Sequence, residues 1–265
     1  MHPILTEITA FGATRPIGGY GLAVAIGVLV SASLAARAAQ RIRADVGAVI
    51  AAIGYTTMAS FAGAFLLFWL VTAIQTGDPL AIRSGGGLVF YGAVPTGLLA
   101  SYLAARGFEL PWLRLLDLSI PGIAAGHALG RVGCFLGGCC YGVPWDGAWA
   151  VTATHPLSPA AHPPVPRHPV QLYEAAGLMA LAFAFAVIPA RRVGDGGRAV
   201  AYVALYACLR FSVELLRGDT LRGVWVSGIS TSQLVSIVAL AAAALAGAHI
   251  ARSRRPQAQS PGATA

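Results

Sequence analysis

The chain has 265 residues, 57% hydrophobic and only 11% charged, with a mean hydropathy of +0.70. A soluble domain is usually about 25% charged, so this composition excludes one and indicates a polytopic membrane protein. The net charge of +8 does not point to nucleic acid: all 18 basic residues are arginines, most of them in short loops between apolar runs, where membrane topology accounts for them.

Residues 1–16 read as a short polar lead. The first apolar run, Ile17–Ala36, is long enough to cross a bilayer at ~1.5 Å per residue. It is not read as a cleaved signal peptide, because Arg37, Arg41 and Arg43 follow the run and the lead offers only Glu7 and Arg15 as charges. Further spans are expected at Val46–Ile74, Gly87–Ala105, Leu115–Leu136, Val170–Pro189, Ala199–Leu216 and Ile229–Ile250, with Pro121 breaking the fourth. Between the fourth and fifth lies a loop, 137–169, rich in proline, tryptophan and histidine. The expected fold is all-α with seven transmembrane helices, one transmembrane domain over 1–255 and a disordered cytoplasmic tail at 256–265.

Charge asymmetry orients it. With the N-terminus outside and the C-terminus cytoplasmic, 11 arginines fall inside, 5 outside and 2 (Arg131 and Arg210) within spans. The unusual polar groups then gather at the outer ends of their spans. Tyr20 starts the first, the glycine-rich 85–92 stretch the third, and His168–Glu174 opens the fifth. An outward-facing site follows.

Two clusters dominate that site. Gly126–Gly142, GHALGRVGCFLGGCCYG, sets Arg131, His127 and three of the four cysteines among six glycines; Arg167–Glu174 reads RHPVQLYE. An arginine within a span is costly and marks function by default. In the sixth span Tyr206, Arg210 and Glu214 follow at i, i+4 and i+8, on one helix face. A structural Arg210–Glu214 pair is the plain reading. Arg131 at similar depth tilts the balance toward two guanidinium groups facing one cavity, which suits a phosphate, whereas Glu174 as a partner for Arg131 argues against it. His155 and His162 sit in the proline-rich loop and read as solvated. His168, beside Gln171 and Tyr173, and His127, one turn before Arg131, are candidate bases. The cysteine spacing C-x4-C-C fits no usual metal pattern, so no metal is expected; a Cys134–Cys139 disulfide and buried free thiols are equally open.

GRVGCFLGGCCYG, the upstream GGLVFYG, RHPVQLYE and LYACLRFSVELLRGD occur in order across the spans. Together with Tyr20–Gly21 and the late ISTSQL, they make the chain resemble the bacterial prolipoprotein diacylglyceryl transferases over nearly its whole length. The resemblance implies transfer of a diacylglyceryl group from phosphatidylglycerol to the lipobox cysteine of a preprolipoprotein, in the bacterial inner membrane. Glycerol phosphate leaves, a thioether forms, and no cofactor is implied. The partners would be phosphatidylglycerol, preprolipoprotein signal peptides and the lipid bilayer, with no nucleic acid.

The resemblance also implies roles. Arg131, Arg210, Tyr206 and Glu214 are expected to be catalytic, with His168 as base. Tyr20, Arg131, Gly142, Tyr91, Gln171, Tyr173, Glu174 and His127 are expected to bind substrate. The family's signature asparagines are Cys134 and Gly137 here, its glutamate is Cys139, and its early histidine is Tyr91. The phosphate-binding half is kept and the proton-handling half rewritten. A related membrane transferase with another acceptor is the alternative, and an anion or lipid transporter a more distant one.

Overall fold

A computed structural model describes residues 1, 3–10, 13–80, 88–188, 194–219 and 228–253. Seven helices carry the fold: α1 (Gly19–Arg41), α2 (Val46–Thr76), α3 (Phe90–Gly107), α4 (Trp112–Gly137), α5 (Val170–Val187), α6 (Gly197–Glu214) and α7 (Thr231–Ser253). Each expected span coincides with one helix, with ends displaced by a few residues. The polar lead is not featureless. Strands β1 (Ile4–Ala10) and β2 (Ala13–Gly18) form an antiparallel hairpin running directly into α1, the one departure from an all-helical chain among the described residues. Residues 81–87 and the tail from 254 lie outside the described residues, as do the expectations placed there.

Among the described residues, α1, α2, α5 and α7 are long and apolar enough to cross a membrane. Met58, Ile74, Phe183 and Leu245 are exposed on α2, α5 and α7, as hydrocarbon-facing side chains would be. These features fit a multi-pass membrane protein. Helices α4 and α6 miss the same standard of apolarity because they carry the charged groups: Asp117 and Arg131 on one, Arg198, Arg210 and Glu214 on the other.

Helix α4 is the hub, packing against α1, α3, α5 and α6. Ile120, Ala124, Ala125 and Ala128 on it meet Leu178, Ala182 and Phe185 of α5 and Tyr202 of α6. Its other side lies against α1 at backbone distance. Ser31 Oγ donates to the Gly122 carbonyl at 2.6 Å, and a Cβ on Gly122 would fall 2.5 Å from the Ser31 carbonyl oxygen. Pro121 does not break α4, contrary to expectation. Proline leaves one carbonyl of the preceding turn unpaired, and inside a packed bundle neighbouring helices make good such losses.

At one end of the bundle, Asp117 of α4 caps α6. Its carboxylate accepts from Gly196 N at 2.8 Å and Ala199 N at 2.9 Å, doing for α6 what its own N-cap glycine cannot. The α4–α6 register is thereby fixed far from Arg131. At the other end the 138–169 loop is folded back. Arg167 bonds Val151 in both directions, Ala153, Ala160 and Ala161 form a small core with Met1 and Tyr141, and the Arg167 guanidinium covers the Tyr141 ring at 4.6 Å.

The α1–α4 contact gives a direct test. Gly122→Val should lower the unfolding midpoint in detergent, since overpacking against backbone costs about 1–3 kcal/mol. Gly54→Ala, which meets nothing within 4 Å, should leave the midpoint unchanged or raise it by up to about 1 kcal/mol equivalent. Equal effects of the two would contradict the packing.

Candidate active site

Six helices bring polar groups to the same end of the bundle. Arg131 lies near the C-terminus of α4, Glu174 near the N-terminus of α5, and Tyr206 and Arg210 near the C-terminus of α6. Ser232 opens α7, Tyr20 opens α1 and Tyr91 opens α3. Alternating up and down runs of chain make this convergence possible.

Glu174, only 2% exposed, is the centre. Its Oε1 accepts from Tyr206 Oη at 2.9 Å and pairs with Arg131 Nε at 3.1 Å; its Oε2 lies 4.0 Å from Arg210 Nη1. Arg131 thus has a carboxylate of its own, and that carboxylate also faces the second arginine. Arg210 Nη2 is held by Glu214 Oε2 at 2.5 Å, the i, i+4 pair expected from sequence, and donates to Ser232 Oγ at 2.9 Å. Tyr91 Oη approaches the same Ser232 Oγ at 3.4 Å. Arg210 Nη1 is buried and makes no hydrogen bond among the described residues. Such a donor is costly to leave unmet, and it faces the carboxylate that also holds Arg131.

His127 sits between two tyrosines, with Nδ1 3.4 Å from Tyr202 Oη and Nε2 3.5 Å from Tyr206 Oη. Since Tyr206 donates to Glu174, Nε2 must be the donor to Tyr206, and Nδ1 then accepts from Tyr202. That tautomer leaves neither ring nitrogen free to abstract a proton. Tyr202 was not foreseen, although it lies one turn before Tyr206 on the same face. Tyr202 and Tyr206 stack at 6.0 Å.

His168 lies elsewhere in the cluster. Its ring stacks on Trp145 at 4.2 Å and its Nδ1 is 3.4 Å from Tyr173 Oη, while Nε2 has no hydrogen bond among the described residues. Trp145, which the sequence did not single out, orients the ring. Gly142 is wedged: a Cβ there would meet the His168 carbonyl at 2.5 Å and the Leu216 carbonyl at 3.0 Å. Its observed contacts are with protein backbone, and they tie the loop to the end of α6. Val143 N donates to the Leu216 carbonyl at 2.9 Å and Gly218 N to the Tyr141 carbonyl at 3.0 Å across that tie, and Arg217 makes a two-point bond to Asp219 at 2.9 and 2.6 Å beside it. Gln171 Nε2 holds the Cys139 carbonyl at 2.7 Å.

Tyr20 is exposed and packs on Gly133 of α4, within electrostatic range of Arg131 and the cysteines. All four cysteines are free thiols, which is the second of the two readings the sequence left open. Hydrogen bonds from Cys134 and Cys139 pull the Cys140 thiol well below its ordinary value against burial, and the Arg217 and Arg131 charges add to the lowering.

The fold and site define a class: a helical, membrane-type protein with a buried carboxylate that holds two arginines from different helices. Residues 7–248 match the family described as prolipoprotein diacylglyceryl transferase, and the chain belongs to that family. It is 34% identical over 222 residues to the phosphatidylglycerol–prolipoprotein diacylglyceryl transferase of Clostridium tetani (strain Massachusetts / E88), spanning 83% of this chain and 86% of that one. The enzyme of the same name from Finegoldia magna is 30% identical over 208 residues, 76% and 79% of the two chains. That from Dehalococcoides mccartyi (strain ATCC BAA-2266 / KCTC 15142 / 195) is 38% identical over 141 residues, 53% and 54%.

The network ranks its own members. Glu174→Gln leaves two buried guanidinium groups without their shared charge and should cost about 3–5 kcal/mol. Tyr206→Phe removes one hydrogen bond to a charged group and should cost about 1.5–3 kcal/mol. Denaturant unfolding in detergent should show that order; the reverse would mean Glu174 is not the centre.

Proposed function

We propose that the chain transfers the diacylglyceryl group of phosphatidylglycerol to the cysteine thiol of a prolipoprotein, and that Arg131 and Arg210 hold the lipid phosphate while this happens. Family membership carries the reaction. The observation that carries the site is the buried Arg210 Nη1, which faces the same carboxylate as Arg131 and makes no hydrogen bond among the described residues.

Guanidinium groups bind phosphate oxygens in pairs and with fixed geometry. Glu174 keeps both arginines oriented and partly neutralised when no lipid is present. As the bond from the glyceryl carbon to the phosphate oxygen breaks, the phosphate gains charge, and the two arginines stabilise that change most strongly in the transition state. Tyr206 positions Glu174. Glu214 and Ser232 fix the Arg210 fork, and Tyr91 reaches the same serine. His168, with its ring set by Trp145 and Nε2 making no hydrogen bond among the described residues, is assigned the thiol proton. Tyr20 and Tyr173 are assigned to substrate contacts beside the site, and Gln171 holds the cysteine-bearing turn.

In this reading all seven helices span the inner membrane, with the N-terminus outside, the C-terminus cytoplasmic and the site at the outer surface. The 11-to-5 division of arginines supports the orientation. The acceptor is a secreted precursor, which reaches the site from that side.

Two experiments test these statements. Expression in a bacterium depleted of its own diacylglyceryl transferase should restore growth and prolipoprotein lipidation; failure by an abundant, folded protein would reject the reaction. A reporter fused after Ala265 should be active only in the cytoplasm, and one inserted within 147–164 only outside. The opposite pattern would reject the outward-facing site.

A further inference from the structure

Cys134 and Cys139 stand where the family signature carries an asparagine and a glutamate, Cys140 follows directly, and the phosphate reading gives none of the three a role. The Sγ atoms of Cys134, Cys139 and Cys140 all lie within 4.8 Å of one another, each thiol partly buried. Thiolates around one zinc ion, at ~2.3 Å each, lie about 3.8 Å apart in a tetrahedral arrangement. Small side-chain rotations close the remaining gap.

Linear spacing argued against this, because neighbouring side chains normally diverge. The backbone supplies the reason it fails as a guide. Cys140 has φ 59°, in the left-handed region, two residues after the Gly138 cap at φ 73°. The chain therefore curls at the end of α4 and brings two successive thiols back over Cys134. The curl is pinned from outside: Cys139 N donates to the Cys134 carbonyl at 3.2 Å, and buried Gln171 grips the Cys139 carbonyl. A disulfide would employ two of these sulfurs and leave the third without a role. A metal employs all three.

Charge is favourable as well. Arg131 and Arg217 both lie within electrostatic range of the cluster. Three thiolates with a divalent ion carry a net charge of −1, which those cations stabilise. Thiolate is the ligand form of cysteine.

We propose that Cys134, Cys139 and Cys140 bind one zinc ion as three thiolates, with the fourth coordination position open to the acceptor thiol. The second half of this proposal rests on the diacylglyceryl-transfer reading. The acceptor thiol binds the open position and gives its proton to water or His168. The bound sulfur then attacks the glyceryl carbon: a C–S bond forms, the C–O bond to phosphate breaks, and its electron pair leaves with glycerol phosphate. Nothing is oxidised or reduced. A coordinated thiol is deprotonated at neutral pH without a strong base, which accounts for an enzyme that has exchanged its signature carboxylate for cysteine.

Elemental analysis of the detergent-purified chain should find one zinc per chain in the wild type and in Cys208→Ser, whose thiol is exposed and apart from the cluster. Loss of an outer partner costs roughly 10–100-fold in metal affinity, so Cys139→Ser or Cys140→Ser should cost at least as much. Should those variants fail to fold, the wild type alone decides: after removal by chelator, cobalt(II) should bind with intense thiolate-to-metal absorption. A lipobox peptide should shift the visible bands, and the same peptide with serine for cysteine should not. No zinc, copper in its place, or undiminished zinc in both serine variants would overturn the site. Zinc bound but bands indifferent to the thiol peptide would overturn the open position. A zinc-loaded enzyme that lipidates nothing would reject the transfer reading and leave the metal site standing; full transfer by the zinc-free protein would reject the role given to zinc.

Discussion

Glu174 is the constraint around which the molecule is arranged. A carboxylate at 2% exposure costs several kcal/mol to desolvate unless its charge is matched closely. Here the match comes from two different helices, Arg131 on α4 and Arg210 on α6, with Tyr206 as a third contact. None of these can be satisfied unless α4, α5 and α6 meet at one depth and rotation. The ionic cluster is poor evidence for stability as such, but it dictates a single register among three helices that apolar packing alone would specify loosely. The same register leaves Arg210 Nη1 without a hydrogen bond among the described residues, beside the carboxylate that holds Arg131.

Rigid support for that arrangement lies at the far end. Asp117 clamps the start of α6 to the middle of the α4 first half, and the Gly122–Ser31 contact seats α1 against the same helix. Arg131 and Arg210 therefore sit on helices whose relative position is set by bonds well away from the site. Such sites hold their geometry better than sites built on loops. The cysteine turn is different. It belongs to the loop side, is pinned by Gln171 and the Gly142 wedge, and can exchange chemistry without disturbing the bundle. That separation gives a physical reason why the arginines of the signature can be kept while its asparagine and glutamate are replaced by cysteines.

Much of this was legible in the chain. Apolar runs of bilayer length marked all seven helices, because hydrophobic length is a one-dimensional property. The Arg210–Glu214 pair was legible because i, i+4 spacing on a helix fixes proximity. The Arg131–Glu174 pair was legible only as a possibility, since it joins two helices and depends on their rotation. What composition hid was three-dimensional. Residues 1–16 looked like a plain lead, yet they form a hairpin. Trp145 lies outside the motifs until the loop folds it onto His168, and C-x4-C-C does not look like three thiols within 4.8 Å of one another until a left-handed residue curls it. Pro121 misled for a related reason: a proline breaks an isolated helix, whereas a packed bundle carries α4 straight through it.

The central claim is that Arg210 grips the lipid phosphate and does more than neutralise Glu174 and Glu214. Arg210→Lys keeps the positive charge and loses the planar fork. The decisive measurement is the rate of diacylglyceryl transfer from phosphatidylglycerol to a lipobox peptide, at matched amounts of folded enzyme. A clamp predicts at least a tenfold loss, because ~1.4 kcal/mol of transition-state binding corresponds to that factor. A rate equal to wild type would show that Arg210 is structural and contradict the account.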